Sequence, residues 1–209
     1  MTRNYFKIAF RYLQKNKLYA IVNIIGLAIG ITSCILIGIY IWHELSFDRF
    51  HAKADRITRT VWEYNFGDKT NRTASTGTKV GPEFQRNFPE VESYVRTLKY
   101  SRVVAYKDQA FDEKNFLYAD PAFFSVFSFP LLQGDPGKVL DAPDKLVVTQ
   151  STAKKYFGTN NPIGQTLKVG VSDFIVSGIV ADVSDNSQLQ FDFVGSFTSL
   201  NAAKTEKWN

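Results

Sequence analysis

From Leu18 to Trp42 the chain carries no charged side chain, and this run constrains its folding more than any other feature. As a helix rising about 1.5 Å per residue, the run would span about 37 Å, enough to cross a hydrocarbon core of about 30 Å with some tilt. Lys15 and Lys17 stand on one side, Glu44 and Asp48 on the other. A secretory signal peptide has an apolar region of about 7–15 residues ending in a small-residue cleavage site. Here the run is longer and closes on Tyr40 and Trp42, whose rings favour the membrane–water interface, while Ala28 and Gly30 lie mid-run. Residues 18–42 therefore read as an uncleaved transmembrane helix.

Charge sets its orientation. Arg3, Lys7, Arg11, Lys15 and Lys17 precede the span with no acidic residue among them, and they account for the whole net charge of +5. The positive-inside rule places residues 1–17 in the cytoplasm and everything after the span across the membrane. Residues 43–209 are formally balanced, so the pI of 9.2 reflects topology and gives no reason to expect a nucleic-acid partner. Arg3, Lys7 and Arg11 recur every fourth residue, with Phe6, Ala9, Phe10 and Leu13 forming an apolar stripe beside them. Such a basic amphipathic segment suits the lipid headgroup region; the plainer alternative is a positive flank that only fixes topology. Within the span, Gly26 and Gly30 make a small-xxx-small pair with Ser33 near the same face, which lets another helix approach closely. No other segment has 18 apolar residues in a row, so partner helices must come from outside these residues.

The part beyond the span is long enough for one compact core. Cys34 is the single cysteine and lies in the membrane run, so no disulfide forms within the chain. Residues 43–56 read as a connector, with a short helical stretch around "FDRFHAKADRI". Residues 57–209 then read as a mixed domain. Ile57–Phe66 is expected as a strand, "DKTNRTASTG" as a loop and "TKVGPEFQRNF" as a helix with Pro82 in its first turn. "VESYVRTLKY" and "VVAYKDQAFDEKNFLYAD" read as three strands, with Lys107–Gln109 a hairpin tip. "PAFFSVFSFPLLQGDP" reads as a short aromatic helix broken at Pro130. Leu146–Thr149 reads as a strand, followed by a helix capped by Ser151 and stopped at Gly158. Three further strands are expected in "GQTLKVG", "DFIVSGIVADV" and "LQFDFVGSF". Strands and short helices interleave without a strict βαβ rhythm, so the fold class is α+β: one N-terminal transmembrane helix followed by a mixed α+β periplasmic domain.

Residue patterns for catalysis are missing. No phosphate loop of the GxxxxGK[ST] type occurs. His43 and His51 are the only histidines and have no second ligand set, so interfacial packing or solvation is favoured over metal binding. Ser151 has no GxSxG context and no histidine in residues 57–209 to act as its base. Asn71-Arg72-Thr73 matches a glycosylation sequon of low specificity, and Asp182 and Asp185 read as solvated loop residues. No catalytic, cofactor-binding or metal residue is expected, and the chain does not read as an enzyme.

Four ordered blocks carry a family resemblance: "LQKNKLYAIVNIIGLAIGITSCILI…WHELSFDRFHAKADRI", "YADPAFFSVFSFPLLQGDP", "LVVTQSTAKKYFGTNNPIGQTLKV" and "DFIVSGIVADVSDNSQLQFDFVGSF". Together they resemble the N-terminal part of bacterial ABC-transporter permeases of the MacB/FtsX type, with Thr58 standing where that family usually has an aromatic residue. The resemblance implies a MacB-like periplasmic core domain, with a porter-like part and an inserted subdomain. It implies an inner-membrane location and ATP bound by a separate ABC ATPase subunit, with no cofactor in this chain. It also implies further transmembrane helices of the permease or a second permease copy as partners, and a periplasmic adaptor and outer-membrane channel as further partners. Because the family's returning helices are not within these residues, the expectation is a truncated permease. In such a protein Gly26, Gly30 and Ser33 would pack the span against its neighbours. Phe47 and Phe50 would wedge the connector against the domain base, ordinary core packing being the alternative for both. A single-span anchored ligand-sensing or adaptor module is the other functional reading.

Overall fold

The computed structural model describes residue 5, residues 11, 12 and 14–205, and residues 207 and 208. Arg3, Lys7 and the stripe of Phe6, Ala9, Phe10 and Leu13 lie outside the described residues. The chain forms two compact units, one ending at Phe47 and the other beginning at Asp48. Residues 48–56, the later part of the expected connector 43–56, cluster with the second unit.

The first unit is dominated by helix α1 (Lys17–Leu45), 29 residues long with no buried residue. Its most apolar 18-residue window has a mean hydropathy of 2.4, and by length and composition it can cross a membrane. A Cβ added at Gly26 or Gly30 would meet nothing within 4 Å, so that face of the helix is open. Arg11, Lys15, Lys17 and Ser33 are exposed. The helix ends where Ser46 donates both its N–H and its Oγ–H to the His43 carbonyl, at 3.1 and 2.7 Å.

The second unit opens with a separate two-stranded hairpin, β1 (Trp62–Phe66) and β2 (Lys69–Thr73). The sequence reading is corrected here at both ends: residues 57–61 are not strand, and residues 69–73 are strand and not loop. Phe66 pairs with Lys69, leaving a two-residue Gly67–Asp68 turn whose first residue has φ of 61°, a conformation that glycine adopts without penalty. Alternation puts Glu63, Asn65, Thr70 and Arg72 on one face, where Glu63 pairs with Arg72 and Thr70 donates to Asn65 Oδ1. Trp62, Tyr64 and Phe66 occupy the other face, all exposed. Helix α2 (Val80–Asn87) follows, with Val80 and Pro82 buried.

The body is a seven-stranded mixed sheet. β3 (Thr97–Tyr106) and β4 (Gln109–Ala119) form a long antiparallel hairpin. The expected third strand is absent because β3 runs unbroken through Ser101; the irregularity between the Tyr100↔Phe116 and Arg102↔Glu113 pairings is a bulge on β4, where Lys114 and Asn115 oppose Ser101. After helix α3 (Phe123–Val126) come β5 (Leu131–Gln133), β6 (Lys145–Thr149), helix α4 (Gln150–Phe157), β7 (Thr166–Val169), β8 (Ser172–Val180) and β9 (Phe193–Ser196). The spatial order is β5-β8-β6-β9-β4-β3-β7, and β7 also pairs with β8, so six of the strands close on themselves. The closure between β3 and β7 is narrow, resting on Val104↔Val169 and Ala105↔Lys168.

Alternation then divides the apolar side chains between two cores. Phe116 and Tyr118 of β4, Leu146 and Val148 of β6, Leu167 and Val169 of β7, Phe174 and Val176 of β8 and Phe193 of β9 gather in one, joined by Ala153, Tyr156 and Phe157 of α4. Their neighbours of opposite parity, Leu117, Ala119, Val147 and Val194, face a second core built from Phe123, Phe124, Phe129, Val139, Leu140 and Phe191. The "FFSVFSF" run is thus a lid over the outer face of β4, β6 and β9. Helix α4 is capped by Thr149, whose Oγ1 accepts from the Thr152 N–H; Ser151, expected as the cap, instead lies in the first turn and donates its N–H to Asp182 Oδ1 at 2.9 Å. The helix stops at Gly158, as the sequence indicates, with φ of 61°.

Candidate functional site

The connector becomes part of the outer unit within three residues of the end of α1. Phe47 remains with the first unit, its ring edge-on to His43 at 5.3 Å. At Asp48 the backbone turns into the left-handed region, φ 55°, which Asp tolerates better than most residues. That turn lets Asp48 bind a distant loop through three hydrogen bonds. Its N–H donates to the Asn186 carbonyl at 3.0 Å, and its Oδ1 accepts from Ser187 Oγ at 3.2 Å and from the Gln188 N–H at 3.1 Å.

Three residues later His51 is buried, 6% exposed. Its ring lies 4.1 Å from that of Phe50, 5.3 Å from Phe127 and 5.2 Å from Phe129, centroid to centroid. The Ser128 N–H donates to His51 Nδ1 at 3.1 Å, and the Ala52 N–H donates to Ser128 Oγ at 2.9 Å. This reciprocal pair clasps the connector to the loop after α3. Lys53 adds a long contact from Nζ to the Ser125 carbonyl, 3.5 Å. Since Nδ1 accepts, the neutral ring carries its proton on Nε2, which lies 3.9 Å from Asp48 Oδ1. Burial lowers the pKa of His51 below the ordinary 6.5, and the Asp48 carboxylate opposes that shift.

Of the two phenylalanines expected to wedge the connector, Phe50 packs on His51 and, at 5.6 Å, on Phe129, while Phe47 contacts His43. Sequence reasoning gave no role to Asp48, Ser128 or Ser187 and read His51 as a residue of interfacial packing or solvation. The detectable signal was the Asp-x-x-His spacing beside an aromatic pair; its partners lie 77 and 139 residues away along the chain.

Two further polar clusters brace the same unit. Asp120 and Arg96 pair near the ends of β3 and β4. Glu113, 7% exposed, accepts from Tyr156 Oη at 2.5 Å and from Lys155 Nζ at 2.7 Å. An open groove of about 490 Å³ runs between β5 and α4, lined by Leu132, Gln133, Gln150, Ser151, Lys154, Ile179 and Asp182. Its Ser151 donates its amide to Asp182, and the one histidine of this unit has its Nδ1 committed to Ser128. Among the described residues no group of three or more His, Cys, Asp or Glu side chains is placed to hold a metal.

The model of the MacB-like periplasmic core domain matches residues 20–208, from within α1 to the end of the outer unit. The chain belongs to that family. No curated protein matches the sequence. Among solved structures, a domain of a permease protein from Porphyromonas gingivalis is 25% identical, with a TM-score of 0.58 over 66% of this chain and 65% of that one. The periplasmic region of MacB from Actinobacillus actinomycetemcomitans shares the fold at 19% identity and a TM-score of 0.50, over 66% of this chain and 64% of that one. This chain therefore spans just under two thirds of either structure. A MacB-like periplasmic core domain, with a permease domain among its structural neighbours, fits a transporter-associated role. An N-terminal apolar helix followed by a mixed α+β domain is the observed architecture.

Proposed function

We propose that this chain acts as the membrane-embedded permease subunit of an ABC transporter. It couples ATP hydrolysis by a separate ATPase subunit to conformational change of its outer domain, for export or extrusion. In this reading α1 crosses the inner membrane with the basic N-terminus in the cytoplasm and the second unit in the periplasm. Gly26, Gly30 and Ser33 pack α1 against other transmembrane helices. The observation that carries the reading is the extent of the family match, which takes in most of α1 and the whole outer unit as one module. The entry segment of the second unit supports it, because a relay of motion needs an entry segment anchored in the domain that it enters. Only Ser46 and Phe47 lie between the end of α1 and the first clasp residue, Asp48.

The test is transport and ATP hydrolysis by the permease assembled with its ATPase in proteoliposomes. Replacing Gly26 and Gly30 together with Leu is expected to leave ATP hydrolysis running while transport falls at least about tenfold, since bulky side chains prevent close helix approach. Transport unchanged by the double substitution refutes the packing role. A reporter fused after Asn209 that is active only in the cytoplasm refutes the topology.

A further inference from the structure

We propose that the connector clasp is a proton-sensitive latch, in which protonation of His51 releases the connector from the loop at residues 125–129. The ring can hold Ser128 only through an unprotonated Nδ1, 3.1 Å from that amide nitrogen. A proton added there sets two N–H groups against each other, and the partly buried Ser128 amide is left without its acceptor. The companion bond, Ala52 N–H to Ser128 Oγ, then loses the geometry that its neighbour enforces.

The surroundings offer little to offset an imidazolium. Phe50, Phe127 and Phe129 pack on the ring. The loop segment Ser125–Phe129 contains no titratable side chain, nor does Asn186–Gln190 on the other side. On the connector itself, Lys53 adds a like charge, and its Nζ reaches only the Ser125 carbonyl. The one facing carboxylate is Asp48, 3.9 Å from Nε2 and already engaged by Ser187 and Gln188.

The direction follows from linkage. In the latched state the pKa of His51 lies below 6.5, whereas a released, solvated His51 titrates near that value. At neutral pH and above neither state is protonated and the latch keeps its full strength. As pH falls below about 6.5 the released state takes up the proton first, and the latch weakens until pH reaches the latched-state pKa. The consequence for coupling rests on the function proposed above; the latch does not, and its test measures no transport.

The test uses the full chain in detergent micelles, labelled with 15N-histidine. With only two histidines in the sequence, His43→Gln assigns both signals. Imidazole shifts and amide exchange are followed from about pH 8 to about pH 5. Above pH 6.5 His51 is expected as the Nε2–H tautomer. Below it, protection of the Ala52 and Ser128 amides, corrected for intrinsic exchange, is expected to fall about tenfold per pH unit down to the His51 midpoint. The Phe116 amide in the closed sheet is expected to keep its protection, which separates local release from unfolding. In His51→Asn, whose Oδ1 can accept from Ser128 but does not titrate, the fall disappears. An Nδ1–H tautomer, protection that stays flat through the His51 titration, or an equal fall in His51→Asn overturns the latch. Should His51→Asn fail to fold, a mismatch between ring titration and amide release in the wild-type chain overturns it equally.

Discussion

Asp120 holds Arg96 with both carboxylate oxygens: Oδ1 accepts from Nη2 and Oδ2 from Nε, each at 2.8 Å. Asp120 Oδ2 also accepts the Arg96 backbone N–H, and the Asp120 N–H returns to the Arg96 carbonyl at 3.2 Å. The guanidinium lies 4.4 Å over the Phe197 ring and donates to the Thr78 carbonyl at 3.1 Å. One ion pair thus ties the entry to β3, the exit of β4, the segment before α2 and the turn after β9.

The Asp120 side chain is 5% exposed and that of Arg96 17%, so removing either leaves a largely desolvated charge. Asp120→Ala is expected to cost about 3–5 kcal/mol. Arg96→Lys keeps the charge but loses the two-pronged geometry, and should cost less than Asp120→Ala. Urea unfolding followed by tryptophan fluorescence measures both, through shifted midpoints at unchanged slope. A loss below about 1 kcal/mol for Asp120→Ala contradicts the bracing role.

The closed sheet predicts a sharp contrast between a strand interior and a turn. Phe116 is fully buried and stacks on Phe193 with centroids 5.5 Å apart and planes 13° from parallel. Phe116→Ala is expected to destabilise the outer unit by about 3–5 kcal/mol through lost transfer energy and the cavity left behind. Val171, 97% exposed in the turn between β7 and β8, is apolar yet contributes nothing to either core; Val171→Ala should lie within about 0.5 kcal/mol of the parent. Thermal melts of the two variants, measured side by side, check the contrast.

The same contrast explains how much of the fold was legible. The charge-free run gave α1 to within three residues at either end, because a single long apolar period has no competing structure. Leu146–Thr149, Gly158 and the strands around Leu167, Phe174 and Phe193 were readable from β-branched and aromatic runs bounded by Gly. The hairpin β2 was hidden, since Lys69–Thr73 buries nothing and so carries no apolar alternation. Ser101 and Arg102 looked like a strand boundary because two polar residues interrupt the apolar run, whereas the added residue of the bulge lies on β4, at Lys114 and Asn115. Helix capping moved from Ser151 to Thr149 through a tertiary contact with Asp182, invisible to local pattern. At the candidate site the aromatic residues could be read but the polar clasp could not. Asp48 and His51 find their partners only after the chain has folded the Ser128 and Ser187 loops against them.

Alkaline pH isolates a different cluster. The Tyr156 hydroxyl donates to buried Glu113, and burial first, then the hydrogen bond and charge of Glu113, raise its pKa far above the ordinary 10. The folded chain therefore keeps a proton that the unfolded chain releases above pH 10. The stability this group contributes is fully present below pH 10 and declines as pH rises beyond it. Tyr156→Phe removes that one proton from the balance. Above pH 10, wild-type stability is expected to fall more steeply than that of the variant, by about 1.4 kcal/mol per pH unit. Urea titrations at two alkaline pH values measure the slopes, and equal slopes contradict the prediction.

Asp48 combines a backbone requirement with an electrostatic one, and two substitutions separate them. Asn shares the tolerance for φ near 55° and retains a side-chain oxygen for Ser187 and the Gln188 amide, whereas Ala has neither property. Asp48→Ala is expected to cost about 1–3 kcal/mol, from left-handed backbone strain and an unpaired amide, and Asp48→Asn clearly less. Both remove the carboxylate that raises the pKa of His51 against the effect of burial. The His51 midpoint, already below 6.5, should therefore drop further in both variants, even though Asp48→Ala loses more stability than Asp48→Asn. Imidazole titration by NMR supplies the midpoints and urea unfolding the stabilities. A midpoint that rises in Asp48→Asn would mean that His51 takes its charge environment from some other group, and the clasp would need a different electrostatic account.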